Sequence, residues 1–183
     1  PIVWFFVLHE YQKMRLLVLF NPNVDPYGSG YHVIQSKISI GSGGFIGQGL
    51  FSGTQSQLDF LPENHTDFIF SVIGEELGFT GGCITIFLLF LIVLECIITA
   101  VRARNFEGRL ICCGVAIYIG FQTFINIGVV SWILPNTGVP LPFFSCGITS
   151  LLTLFIAMGI VLNVSLQRNV ERDDDMFADD FRG

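Results

Sequence analysis

The sequence predicts an all-α, polytopic membrane protein with a large polar loop on one side of the bilayer. Three observations carry that prediction. Hydrophobic residues make up 51% of the 183, and charged residues only 13%, about half the share of an ordinary soluble domain. The formal net charge of −6 is concentrated at one end, where residues 171–183 hold six acids against two arginines. Three runs of about twenty apolar residues, the length that crosses a hydrocarbon core as a helix, succeed one another between Phe68 and Leu166.

The elements follow in order. Residues 1–8, PIVWFFVL, are apolar but too short to span, and no basic segment precedes them as in a signal peptide. They read as the end of a span that begins upstream, so the chain is expected to be the C-terminal part of a larger protein. Residues 9–67 form the large polar loop. Within it Asn21–Gly30 is rich in turn formers. His32–Ile40 alternates apolar and polar residues, as an interfacial helix or a strand would. The stretch IGSGGFIGQGLFSG then places six Gly and two Ser in fourteen residues, too flexible for an ordinary helix interior. It is either a surface linker or backbone that offers N–H groups to an anion.

The first span is expected over residues 68–101, with Thr66 or Asp67 placed to cap it. Its inner part, Cys83–Val101, carries one charge, Glu95. A loop at 102–109 with three Arg and one Glu leads to a second span at 110–134, which has no charge. Residues 135–147 form a proline-rich connector, stiffened by its fixed φ angles. A third span covers 148–167, and 168–183 read as a solvated, disordered acidic tail. Arginine bias puts 102–109 and the tail in the cytoplasm. Residues 9–67 and 135–147 then lie outside, with Trp4 and Trp132 as anchors at the outer interface.

Carboxylates at a membrane boundary are costly and are read first as functional. The segment QSQLDFLPENHTDFIFSVIGEELGFTGG, residues 55–82, contains Asp67, Glu75 and Glu76. On one helix Asp67, Ser71, Gly74 and Gly78 share a face, at i, i+4, i+7 and i+11. That small-residue stripe either packs a neighbouring helix closely or lines a cavity leading from the acid. Glu76 points away from it and Glu75 to the side, so the three acids form no compact cluster; Glu75 and Glu76 are expected to pair with other helices. Asn126, an amide inside the second span, is expected to bond across helices. The five cysteines read as small buried hydrophobes, neither disulfides nor metal ligands. The three histidines are too scattered for a metal site, and no basic patch suggests nucleic acid.

Four blocks of residues, in order, are similar to a known family. HEYQKMR (9–15), NPNVDPYGSGYHVIQSKISIGSGG (21–44), GTQSQLDFLPENHTDFIFSVIGEELGF (53–79) and PNTGVPLPFFSCG (135–147) resemble the C-terminal half of the SEDS membrane proteins (RodA, FtsW, SpoVE), the RodA branch most closely. The resemblance implies a bundle of about ten spans, of which the first six or so are absent, and a place in the bacterial plasma (inner) membrane. It implies an inverting glycosyltransferase that polymerises lipid II for cell-wall elongation and rod shape, with a class B penicillin-binding protein as partner alongside membrane lipids. It makes Asp67 the essential acid, a base for the acceptor sugar's hydroxyl. By the same similarity Lys37, Arg15, Gly41, Ser42, Gly43 and Gly44 are contacts for the leaving pyrophosphate, helped by a divalent cation, Mg or Mn. Gln55, Glu63 and His65 belong with them as substrate contacts. Glu75, Glu76, Asn126, Pro140, Pro142 and Ser145 shape the cavity.

Two departures stand out. The family reads S-Y-G-G-S where this chain has Ser145-Cys146-Gly147-Ile148-Thr149, and it commonly has Ala at the position of Ser39. The chain alone is expected to be inactive, since the cavity needs helices from the other half. Two other readings compete with the polymerase: a flippase for lipid-linked precursors, with the small-residue face as its path, and a membrane scaffold that recruits wall enzymes without chemistry of its own.

Overall fold

The computed structural model describes residues 10–20, 29–50, 52–53 and 67–180. The expectations for residues 1–8, Trp4, His9, Gln55, Glu63, His65 and Thr66 fall outside them. Every regular element described is a helix: α1 (Glu10–Phe20), α2 (Ser29–Gly43), α3 (Ile69–Glu76), α4 (Gly78–Arg102), α5 (Phe106–Val130) and α6 (Ile148–Asp180). Three helical stretches, Gly78–Arg102, Phe106–Val130 and Ile148–Gln167, are long and apolar enough to cross a membrane. The chain falls into two compact units, one of residues 1–86 and 122–147, the other of 87–121 and 148–183.

In the first unit the sequence left helix or strand open for 32–40, and the structure settles it as helix. α2 also continues through Gly41, Ser42 and Gly43, where glycine content suggested a flexible loop. Packing overrides the entropy cost there. α2 lies against α3 so closely that a Cβ on Gly43 would collide with the Gly74 carbonyl. Ile40 is in van der Waals reach of Gly74, and the Ser36 and Ser71 hydroxyls stand 2.7 Å apart. The small-residue stripe of α3 thus packs α2 at Ser71 and Gly74, and its Gly74 and Gly78 also line a cavity.

The single span expected at 68–101 is two helices, broken at Leu77. Gly78 has φ +66°, and its Cβ position is filled by the backbone of Phe45, Ile46 and Gly47. The 44–49 loop clasps this break. Gln48 and Gly49 N–H donate to the Glu75 and Glu76 carbonyls at 3.0 Å each, and Phe79 and Thr80 N–H donate to the Gly44 and Phe45 carbonyls at 2.9 and 3.2 Å. Groups that a helix break would leave orphaned are satisfied by another backbone. At the other end, the N-cap of α3 is Phe68, which makes no side-chain capping bond, so Asp67 does not occupy the capping position.

The second unit packs through small side chains. Cys96, Ala100, Cys112, Ala116 and Val161 form a buried cluster from α4, α5 and α6, flanked by Val93, Val115, Met158 and Val164. Only Cys96 and Cys112 fit the expectation of buried cysteines; Cys83, Cys113 and Cys146 are exposed, and all five are free. Among the spans' most apolar windows only 22%, 22% and 11% is buried, leaving outward side chains that a bilayer accommodates and water does not. The connector between α4 and α5 is only residues 103–105, held by Arg109, whose guanidinium donates to the Ala103 carbonyl at 3.3 Å. α5 ends at Val130, earlier than expected, because Trp132 turns to φ +61°. The Ile133 and Leu134 amides there fold back onto the Gly128 carbonyl. The tail expected to be disordered instead continues α6 in helical form to Asp180.

Candidate functional site

Asp67 lies half-buried one residue before the α3 N-cap. Its surroundings come from the irregular segment that follows α5. Gly138 has φ +68°, a backbone that favours glycine, and a Cβ built there would stand 3.3 Å from Asp67 Oδ2, so the carboxylate lies close against this turn. The Gly138 N–H donates to Asn136 Oδ1 at 3.1 Å, which closes the turn. Asn126 on α5 is 1% exposed. Its Nδ2 donates to the carbonyls of both Asp67 and Val139, each at 2.8 Å.

The two expected cations reach the same segment from two other helices. Arg15 on α1 donates from Nη1 to the Asn136 carbonyl at 2.7 Å. Lys37 on α2 holds Nζ 4.9 Å from the centroid of the Trp132 ring, a cation–π distance. Residues 132–139 thus gather one carboxylate and two cations delivered by α1, α2 and the start of α3. The sequence marked 135–147 as a stiff connector and the resemblance made it a wall of the cavity; that it also meets Arg15 and Asp67 was not anticipated. The signal lay in the N-T-G triplet, whose glycine needs a left-handed φ and whose Asn favours a turn. Farther along, Pro140 is half-buried, while Pro142 and Ser145 are buried, and Ser145 Oγ has no partner among the described residues.

The other acids separate as helical periodicity requires. Glu75 is 0% exposed and accepts from Ser39 Oγ at 3.0 Å, so its cross-helix partner lies on α2. The residue that departs from the family's Ala supplies that hydroxyl. Glu76 is half-buried at the end of α3. Gly41, Ser42 and Gly44 are exposed, whereas Gly43 is buried against α3. The amides of 41–43 lie in the last turn of α2, so this part of the glycine stretch is not an open loop of donors. Among the described residues no three His, Cys, Asp or Glu side chains converge to hold a metal ion. A cavity of about 310 Å³ lies beside α3, lined by Ile40, Phe70, Gly74, Phe79 and Ile127 among others; its lining suits hydrocarbon.

Comparison with known proteins identifies the family. Residues 1–170 match the cell cycle protein family of FtsW, RodA and SpoVE. The chain is 48% identical over 170 residues to the peptidoglycan glycosyltransferase MrdB of Escherichia coli K12, covering 93% of this chain and 46% of that protein. It is 43% identical over 162 residues to the peptidoglycan glycosyltransferase RodA of Treponema pallidum, covering 88% and 37%. Among solved structures, a chain from a study of how a peptidoglycan synthase complex coordinates polymerization and crosslinking is similar, with a TM-score of 0.67 and 35% identity over 88% of this chain and 43% of that one. The chain spans about half the length, or less, of the relatives it matches. With three apolar spans and a family match along nearly its whole length, this multi-pass membrane chain belongs to the FtsW, RodA and SpoVE family.

Proposed function

We propose that this chain carries the catalytic half of a peptidoglycan polymerase of the bacterial inner membrane, which joins lipid II units outside the membrane. Asp67 takes the proton of the acceptor sugar's 4-hydroxyl as that oxygen bonds to the donor's anomeric carbon. The bond from that carbon to the pyrophosphate oxygen breaks, with inversion, and the lipid pyrophosphate leaves carrying the electron pair. Arg15 and Lys37 counter the growing negative charge, and the exposed Gly41, Ser42 and Gly44 are further contacts for the head group. The apolar cavity beside Gly74, about 10 Å along the helix from Asp67, suits the hydrocarbon tail of the donor. Gln55, Glu63 and His65 complete the substrate contacts, and a class B penicillin-binding protein crosslinks the product.

One observation carries this reading: an acid and two cations, from separate elements, converge on residues 132–139. The transport reading needs a path along the small-residue face that starts at the acid, and α2 covers that face at Ser71, next to Asp67. The test is Asp67→Asn in the intact protein, assayed for glycan chains from lipid II in detergent, where no second leaflet exists. A base contributes about 10²–10⁴-fold, so polymerisation is expected to fall by at least about 100-fold. Undiminished polymerisation rejects the base; loss of flipping in liposomes with polymerisation intact would favour the transporter.

A further inference from the structure

We propose that Asn126 is the positioning residue for Asp67: one amide, mounted on a membrane-spanning helix, sets the distance between the base and the segment that holds the cations. The inference rests on the reading of Asp67 given above. In a regular helix the carbonyl of residue 67 would accept from the amide of residue 71. Here the Ser71 N–H donates to Phe68 O at 2.9 Å, so the Asp67 carbonyl stands outside the helical ladder. Val139 precedes Pro140, which has no N–H, and Pro142 lacks one as well. Asn126 supplies one hydrogen to each of the Asp67 and Val139 carbonyls at 2.8 Å.

The amide spends itself entirely on this task. Its two Nδ2 hydrogens are both used, and its Oδ1 has no partner among the described residues. Turning the side chain over would set Oδ1 against two carbonyl oxygens, so only one orientation works. Aspartate has the same shape but no NH₂ group; alanine removes the donors and leaves a void. What the amide ties together are the two segments whose spacing the chemistry depends on. One carries Asp67. The other carries Gly138, against which the carboxylate rests, and Asn136, to which Arg15 is bound. Loss of the tie lets the base drift relative to the cation side without removing a single group that touches substrate.

The experiment compares Asn126→Ala and Asn126→Asp with the unaltered intact protein, measuring kcat and KM for glycan polymerisation from lipid II together with the thermal midpoint. A misplacement of about 1 Å costs about 100-fold, so kcat is expected to fall about 100-fold in both variants while KM for lipid II stays within about twofold. The Asp variant sets a buried carboxyl group against two carbonyl oxygens, so Asn126→Leu, which fills the site with neither donor nor charge, carries the test if either variant does not accumulate. Two results would overturn the proposal: unaltered kcat in the Asp or Leu variant, or a loss of activity that only tracks a loss of folded protein. Asp67→Asn, run in parallel, separates the two levels. If that variant stays active, the base reading fails and this inference with it. If it is dead while the Asn126 variants keep full kcat, only the positioning role fails.

Discussion

Replacing Gly78 by Ala tests the clasp that breaks the first span. Gly78 sits at φ +66°, a region that costs an L-residue about 1–2 kcal/mol. The added methyl has no flexible side chain to push aside, since its nearest neighbours are the backbone atoms of Gly47, Ile46 and Phe45. To make room the 44–49 loop must lift, which strains the bonds from Phe79 to Gly44 and from Thr80 to Phe45, each contributing about 1 kcal/mol. The expected loss is about 3–4 kcal/mol, a large part of the roughly 5–15 kcal/mol that holds a typical protein folded. At about 2–4 °C per kcal/mol for a chain of this size, the thermal midpoint in detergent should drop by about 10 °C. Gly41→Ala is the matched control, because Gly41 lies in α2 with nothing within 4 Å of its Cβ position. There alanine is expected to stabilise by about 0.5–1 kcal/mol. If the two variants melt within about 1 °C of each other, the clasp does not hold the break and the argument fails.

Three further changes address the site and its support. Gly138→Ala forces a left-handed backbone on a residue that disfavours it and presses its methyl toward Asp67 Oδ2; polymerisation by the intact protein should fall by about tenfold or more, and unchanged kcat would show that the carboxylate tolerates displacement. Ser39→Ala removes the hydroxyl that Glu75 accepts, a bond to a fully buried carboxyl group whose loss is expected to cost about 1–3 kcal/mol, read as a lowered unfolding midpoint. Arg15→Lys keeps the charge but replaces the planar fork that reaches the Asn136 carbonyl; the expected result is a raised KM for lipid II, and wild-type kinetics would mean that charge alone suffices there.

The sequence announced membrane helices and the acid, because both are local signals. Twenty apolar residues in a row read the same way whatever surrounds them, and Asp67 stands at the margin of such a run. Periodicity also placed Glu75 and Glu76 away from Asp67, and the partner of Glu75 is on another helix, as that geometry implied. What stayed hidden depends on contacts between distant segments. The break at Leu77 is dictated by a loop some thirty residues earlier, through backbone bonds that no side-chain pattern encodes. The helix runs on through Gly43, which packs on Gly74, although glycine content alone argues against it. The convergence at 132–139 escaped notice for the same reason, since it comes from the three elements that meet there and not from the segment's own chemistry.

The break and the hub solve one geometric problem together. A continuous helix from Ile69 to Arg102 would run about 50 Å at 1.5 Å per residue, well beyond a hydrocarbon core of about 30 Å. α4 alone, with 25 residues, is about 37 Å long and can span with tilt. Ending the span at Gly78 leaves α3, with 8 residues, as a separate piece of about 12 Å that carries Asp67 at its start. Such a short helix has little stability of its own, so it must be held from outside. α2 packs its inner face, the 44–49 loop caps its C-terminal carbonyls, and Asn126 takes the carbonyl of Asp67 at its N-terminal side. The acid is therefore mounted on an element short enough to stand apart from the span and tied at both ends to rigid neighbours. Weakening either end should degrade catalysis before it unfolds the span, and combining Gly78→Ala with Asn126→Asp should lower kcat by less than the product of the single effects if both ties position the same carboxylate.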